Sequence, residues 1–132
     1  MTADLQPVLL RVVYAANVLV AGVVGGLALF APAAATRTVF SGTAEPSAGL
    51  RVVGSFWLVI AALSAVGCVY PRAMVVVLVV QLGYKGLWLA AVAVPAVLDG
   101  RADTLPGGMA VFFAVWVAVL PFVIPWSDLL RD

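Results

Sequence analysis

Apolar positions dominate the chain in four long runs, and most polar residues fall in the short intervals between them. The first run extends from about Val8 to Phe30 and stops before Pro32, and the second extends from about Arg51 to Tyr70 and stops at Pro71. The third extends from about Ala73 to Leu98, with Pro95 near its end. The fourth extends from about Gly108 to Ile124, bounded by Pro106 on one side and by Pro121 and Pro125 on the other. Each run is of the order needed to cross a bilayer, about 20 residues at about 1.5 Å rise. Proline ends or kinks helices, so its placement at the edges supports these limits. Little more than Pro71 and Arg72 separates the second and third runs, which forces a hairpin and with it an alternating order through the membrane. The expected fold is all-α: one transmembrane domain over residues 1–132, a four-helix bundle of antiparallel up-down-up-down topology with helices at about 8–30, 51–70, 73–98 and 108–124.

The connections carry turn chemistry. Residues 31–50 contain Arg37, Ser41, Gly42, Thr43, Glu45, Pro46 and Ser47, a loop composition. Residues 99–106 form a polar turn in which Asp103 or Thr104 is expected to cap the fourth helix. Tyr70, Trp126 and Arg131 stand at helix ends, where interfacial anchors belong. Ala33-Ala34-Ala35 offers a small-residue cleavage site after the first run. That run is longer than the about 7–15 apolar residues of a signal peptide, and Asp4 precedes it with no cation, so retention is expected. With both ends in the cytoplasm, the preferred orientation, Arg11, Arg72 and Arg131 fall inside and Arg37, Arg51 and Arg101 outside; that balance gives the positive-inside rule no purchase. The repeat of Leu10-Arg11-Val12-Val13 as Leu50-Arg51-Val52-Val53 fails beyond four residues and is read as coincidence.

Composition sharpens the solvent and narrows the chemistry. Of 132 residues, 65% are hydrophobic and 10% charged, and the mean hydropathy is +1.20. A soluble domain carries about 25% charged residues, so lipid is the natural solvent here. A net charge of +1 makes no basic field for nucleic acid. Without histidine, and with Cys68 as the single cysteine, neither metal binding nor a CxxC redox pair is expected.

Candidate chemistry therefore sits where polar residues interrupt the apolar runs. Lys85 falls at the midpoint of the third run, where a lysine costs about 2.5–3.5 kcal/mol on insertion scales. No Asp or Glu lies within any of the four runs to pair with it. Gln81, Lys85 and Trp88 share a helix face at i, i+4, i+7, with Tyr84 beside them. On the first run Arg11, Tyr14 and Asn17 follow at intervals of three, and Ser55 and Ser64 add hydroxyls on the second. Such groups face a bundle interior or cavity, and the bland account is that they hydrogen-bond across helices as glue. The candidate ligand-binding residues are Lys85, Gln81, Tyr84, Trp88, Asn17, Tyr14 and Arg51. Arg11 and Arg51 oppose the dipoles of the helices they open, so contact with lipid phosphate is the plainer role for each. Gly22, Gly25 and Gly26, and the small residues Ala61, Ala65 and Cys68, are expected to let helices approach closely. Met74 and Met109 are read as packing residues.

The segment Arg51-Val-Val-Gly-Ser-Phe-Trp-Leu, then Pro71, then Gln81-Leu-Gly-Tyr84-Lys85-Gly-Leu-Trp88-Leu resembles the DoxX-like group of small four-helix bacterial membrane proteins. The architecture of most of the chain is similar to that group, while the motif is confined to the second and third helices. The resemblance implies a multi-pass protein of the bacterial inner membrane associated with a quinone-linked or thiol-linked redox system. This chain has no cysteine pair, so thiol–disulfide chemistry is not carried over. The expected function is binding of a quinone or lipid headgroup in a polar pocket around Lys85, as accessory to a redox system rather than as an enzyme in its own right. Quinone is the implied cofactor; the expected partners are the lipid bilayer and a membrane protein or second copy of the chain. The alternatives are a purely structural subunit of a larger membrane complex and a small-molecule transporter. The size resembles small multidrug exporters, but the membrane carboxylate on which their coupling relies is missing.

Overall fold

The computed structural model describes residues 4–131, and among these it is helical with no strand. Helix α1 spans Leu5–Phe30, α2 Pro32–Thr38, α3 Ala48–Val69, α4 Val75–Trp88, α5 Val94–Leu98, α6 Gly107–Val123 and α7 Trp126–Leu129. A π turn at Leu89–Ala93 joins α4 to α5, so that Val75–Leu98 is one continuous apolar rod. Three helices, Leu5–Phe30, Ala48–Val69 and Val75–Leu98, are long and apolar enough to cross a membrane, and α6 is a shorter apolar helix. Only 28%, 33% and 28% of the most apolar stretches of these three are buried inside the protein. Leu19, Val23, Phe30, Val52, Leu98 and Phe122 are among the side chains pointing outward. An apolar exterior of that extent matches hydrocarbon and not water.

The helices pack as two pairs. The more extensive is α1 with α3: Tyr14 lies against Gly67, Gly22 against Ala61, and Gly25 against Gly54 and Leu58, so the two run antiparallel. In the second pair, Tyr84 and Trp88 of α4 meet Phe113 of α6 edge-on. Close approach in the first pair depends on glycine. A Cβ on Gly54 would stand 2.6 Å from the Leu29 nitrogen and 2.8 Å from the Ala28 Cβ. One on Gly25 would stand 2.9 Å from the Gly54 oxygen. Gly26, the other end of the i, i+4 glycine pair in the sequence, has nothing within 4 Å.

Two apolar clusters form the interior. Leu10, Val13, Tyr14, Val75, Leu78, Leu120, Val123 and Ile124 make one; Ala28, Ala35, Leu50, Trp57 and Phe113 make the other. The buried polar residues Asn17, Ser64, Gln81 and Lys85 fall between them along the helices.

Several local features depart from the sequence expectations. Residues 32–38, expected as loop, are helical: Pro32 is preset for the first helical turn and three alanines follow it. Thr36 is buried there and returns its hydroxyl to the Ala33 carbonyl, 2.8 Å. The cap expected from Asp103 or Thr104 does not form. Pro106 precedes α6 instead, and Thr104 closes a tight turn on the Arg101 carbonyl, 2.6 Å. Pro121 lies inside α6 rather than bounding it, and its carbonyl accepts from the Trp126 indole at 2.8 Å. The π turn answers Pro95, which has no N–H and crowds the carbonyl four residues back. At the head of α3, Ser47 caps as its residue type suggests, its Oγ accepting from the Leu50 amide at 3.1 Å.

Candidate functional site

α4 buries its polar face. Lys85 is 3% exposed, Gln81 1%, and the Lys85 Nζ donates to Gln81 Oε1 at 3.3 Å, one helical turn away. Aromatic rings enclose the ammonium: Nζ lies 5.1 Å from the centre of the Tyr84 ring, 5.4 Å from Phe113 and 5.7 Å from Phe112. These distances suit cation–π attraction. Among the described residues the one ion pair is Arg101 with Asp99, both exposed, so no carboxylate meets Lys85.

A cavity of about 240 Å³ opens beside Lys85, between the two helix pairs. Asn17, Val20, Ala21 and Val24 of α1, Trp57 of α3, Tyr84 and Lys85 of α4, and Met109, Phe112 and Phe113 of α6 form its walls. Gly108 of α6, and Thr38 and Val39 from the connection that folds back after α1, also line it. Asn17 is 2% exposed and its Oδ1 accepts from the Trp116 indole at 3.1 Å, while its Nδ2 has no partner. The Gln81 Nε2 and the fully buried Ser64 hydroxyl are likewise unpartnered. A second hollow of about 580 Å³ adjoins the first through the shared residues Trp57, Tyr84, Met109 and Phe113. It is apolar apart from Glu45, Ser47 and the Tyr84 hydroxyl, and Trp88 and the loop residues Phe40 and Ala44 line it.

The structure thus gathers Lys85, Gln81, Tyr84 and Asn17. Gln81 stands behind Lys85 rather than on the cavity wall, and Trp88 borders the second hollow only. Tyr14 and Arg51 are not brought to either cavity. Tyr14 is buried with its ring on Gly67 and its hydroxyl on the Pro71 carbonyl, 2.7 Å. Arg51 is exposed, and its carbonyl accepts from Ser55 at 3.0 Å within α3. Arg11 donates from Nε to the Cys68 carbonyl at 3.1 Å. It therefore serves the C-terminus of α3, where unpaired carbonyls and the helix dipole both favour a cation. Of the hydroxyls and amide expected to bond across helices, Asn17 does so, Ser55 turns back on its own helix and Ser64 finds no partner.

Among the contributors that lay outside the sequence candidates are Trp57, Phe112, Phe113 and Thr38 on the wall and Trp116 behind Asn17. Trp116 had a signal, because a buried indole N–H requires an acceptor and few acceptors exist in these runs. Met109, expected as packing, lines both cavities.

Comparison of the chain with protein-family models, with curated proteins and with solved structures returned no match, so function must be argued from the residues themselves.

Proposed function

We propose that this protein is a four-helix, up-down-up-down membrane bundle that holds the oxygen-bearing headgroup of a small amphiphile, a quinone or a lipid, in the cavity beside Lys85. The observation that supports it is a nearly fully buried lysine bordering a cavity of about 240 Å³ and, among the described residues, bonded only to Gln81 with no acid to meet it. An unpaired buried charge or donor is costly, and a ligand carbonyl or anionic oxygen is the partner such a group requires. The adjoining apolar hollow walled by Trp57, Tyr84 and Trp88 offers space for the ligand's apolar part. Within this proposal the chain is a DoxX-like protein of a bacterial inner membrane, both ends cytoplasmic, delivering or holding the amphiphile for a redox partner.

The test is native mass spectrometry of the protein released from mild detergent. The wild type is expected to retain a small molecule that Lys85→Met loses. If Lys85→Met left ligand retention, stability and any partner activity unchanged, the proposal would be dead.

A further inference from the structure

We infer that the cavity selects ligands whose polar atoms only accept hydrogen bonds, and rejects the same skeleton when it carries hydroxyl hydrogens. The inference rests on the headgroup-binding function proposed above and narrows the ligand's chemistry.

It follows from counting donors and acceptors. A tryptophan indole donates and never accepts, so the Asn17 atom facing Trp116 must be the amide oxygen. The Lys85 Nζ donates to the Gln81 Oε1, so that amide oxygen too is turned toward a donor. Both side-chain acceptors of this layer are thereby turned toward donors. What remains is the Asn17 Nδ2, the Gln81 Nε2 and the unused hydrogens of Lys85 Nζ, all buried, the two amide nitrogens without partners; the Ser64 hydroxyl is also buried and unpartnered, but it can act either way and is not on the cavity wall. Two of the three residues, Asn17 and Lys85, face the cavity. Along α1, α3 and α4 the wall backbone is bonded within the helices; the free backbone groups belong to helix ends, at Thr38 and Val39 of the α2 end and Gly108 of the α6 start, and none of these residues is buried. Thr38 donates its hydroxyl to the Ala34 carbonyl and is exposed. The Tyr84 hydroxyl can act either way, which leaves the buried amide and ammonium to set the balance.

A ligand oxygen with free lone pairs completes this set. A ligand hydroxyl brings one more donor into a site already rich in them, and leaving a buried donor unpaired lowers affinity by about tenfold or more. Size is permissive: a cavity of about 150 Å³ holds benzene, so about 240 Å³ takes a six-membered ring with small substituents. Carbonyl oxygens on a ring and a carboxylate on a chain share the required chemistry.

Calorimetric titration of the full-length protein in nanodiscs, with empty discs subtracted, tests the inference using two matched pairs: duroquinone against durohydroquinone, and decanoate against decanol. The expected result is a preference of about tenfold or more for the acceptor-only member in at least one pair. A preference in the first pair identifies a carbonyl source, and one in the second an anionic source. Asn17→Asp keeps an oxygen for Trp116 and turns a second oxygen to the cavity, so it is expected to bring the ratio to within about threefold. Ratios near one in both pairs with binding retained, or an unchanged ratio in Asn17→Asp, would overturn the inference while leaving headgroup binding intact. Absence of binding by all four probes would overturn both.

Discussion

Replacing Gly54 by alanine tests the contact on which the α1–α3 pair is built, and Gly26→Ala supplies its control. At Gly54 the new methyl would stand 2.6 Å from the Leu29 nitrogen, whereas ordinary contact begins at 3.4 Å, so the backbones must part by about 0.8 Å. The obstructing atoms belong to backbone and to Ala28, which has no rotamer to change. Inserting a methyl into a filled contact typically costs about 1–3 kcal/mol. Against this, alanine is favoured over glycine in a helix by about 1 kcal/mol. Gly26→Ala gains the same propensity and meets nothing within 4 Å. Propensity cancels between the two variants, leaving Gly54→Ala less stable than Gly26→Ala by about 1–3 kcal/mol. Titration of the folded protein with SDS in mixed micelles, followed by far-UV circular dichroism and tryptophan fluorescence, measures the gap. Equality to within about 0.5 kcal/mol, the scatter of an indifferent surface change, would refute the claim that glycine is required there.

Three further substitutions probe individual bonds by the same unfolding assay. Ser47→Ala removes the cap on α3 and is expected to destabilise by about 1 kcal/mol, with Ser47→Asp retaining most of the stability. Trp116→Phe leaves the Asn17 oxygen buried without its donor and is expected to cost about 1–3 kcal/mol. Tyr14→Phe loses the bond to the Pro71 carbonyl but keeps the ring on Gly67, so the expected loss is smaller, about 0.5–1.5 kcal/mol.

The long apolar helices were legible because hydropathy and proline act over the same lengths. A backbone in hydrocarbon has to satisfy its own hydrogen bonds, so a run of about 20 apolar residues can hardly be anything but helix. Where residues left the apolar runs, the sequence signal conflicted. Pro32-Ala33-Ala34-Ala35 carries a helix start in its proline and alanines, yet the same residues look like a cleavage site or loop, and the helix prevails. The π turn before Pro95 has no hydropathy signature at all, since it is the backbone's adjustment to a missing N–H. Glycine spacing gave the right helix and the wrong partner. Gly22 and Gly26 have the i, i+4 spacing, but Gly25 makes the close contact and Gly26 faces outward.

The candidate site divides along a similar line. Lys85 stood out because any lysine in a run so apolar is conspicuous, and Gln81 and Tyr84 came with it by helical spacing. Equal spacing misled on α1. Arg11, Tyr14 and Asn17 share a face, but each step of three residues is about 4.5 Å of rise, and over two such steps the neighbours change entirely. Arg11 reaches the end of α3, Tyr14 the turn beyond it, and Asn17 alone the cavity. Much of the remaining wall comes from Phe112 and Phe113 on α6, from Trp57 on α3 and from Thr38, all distant in sequence from Lys85, and Trp116 of α6 holds Asn17 without lining the cavity. Only contact between helices reveals them, because α6 presents no polar interruption to draw notice. What distinguishes the layer at Asn17, Gln81 and Lys85 from simple helix glue is its imbalance. Glue pairs donors with acceptors across helices; here, among the described residues, the amide oxygens of Asn17 and Gln81 are engaged while their buried amide nitrogens are left over, the imbalance that the proposed headgroup would relieve.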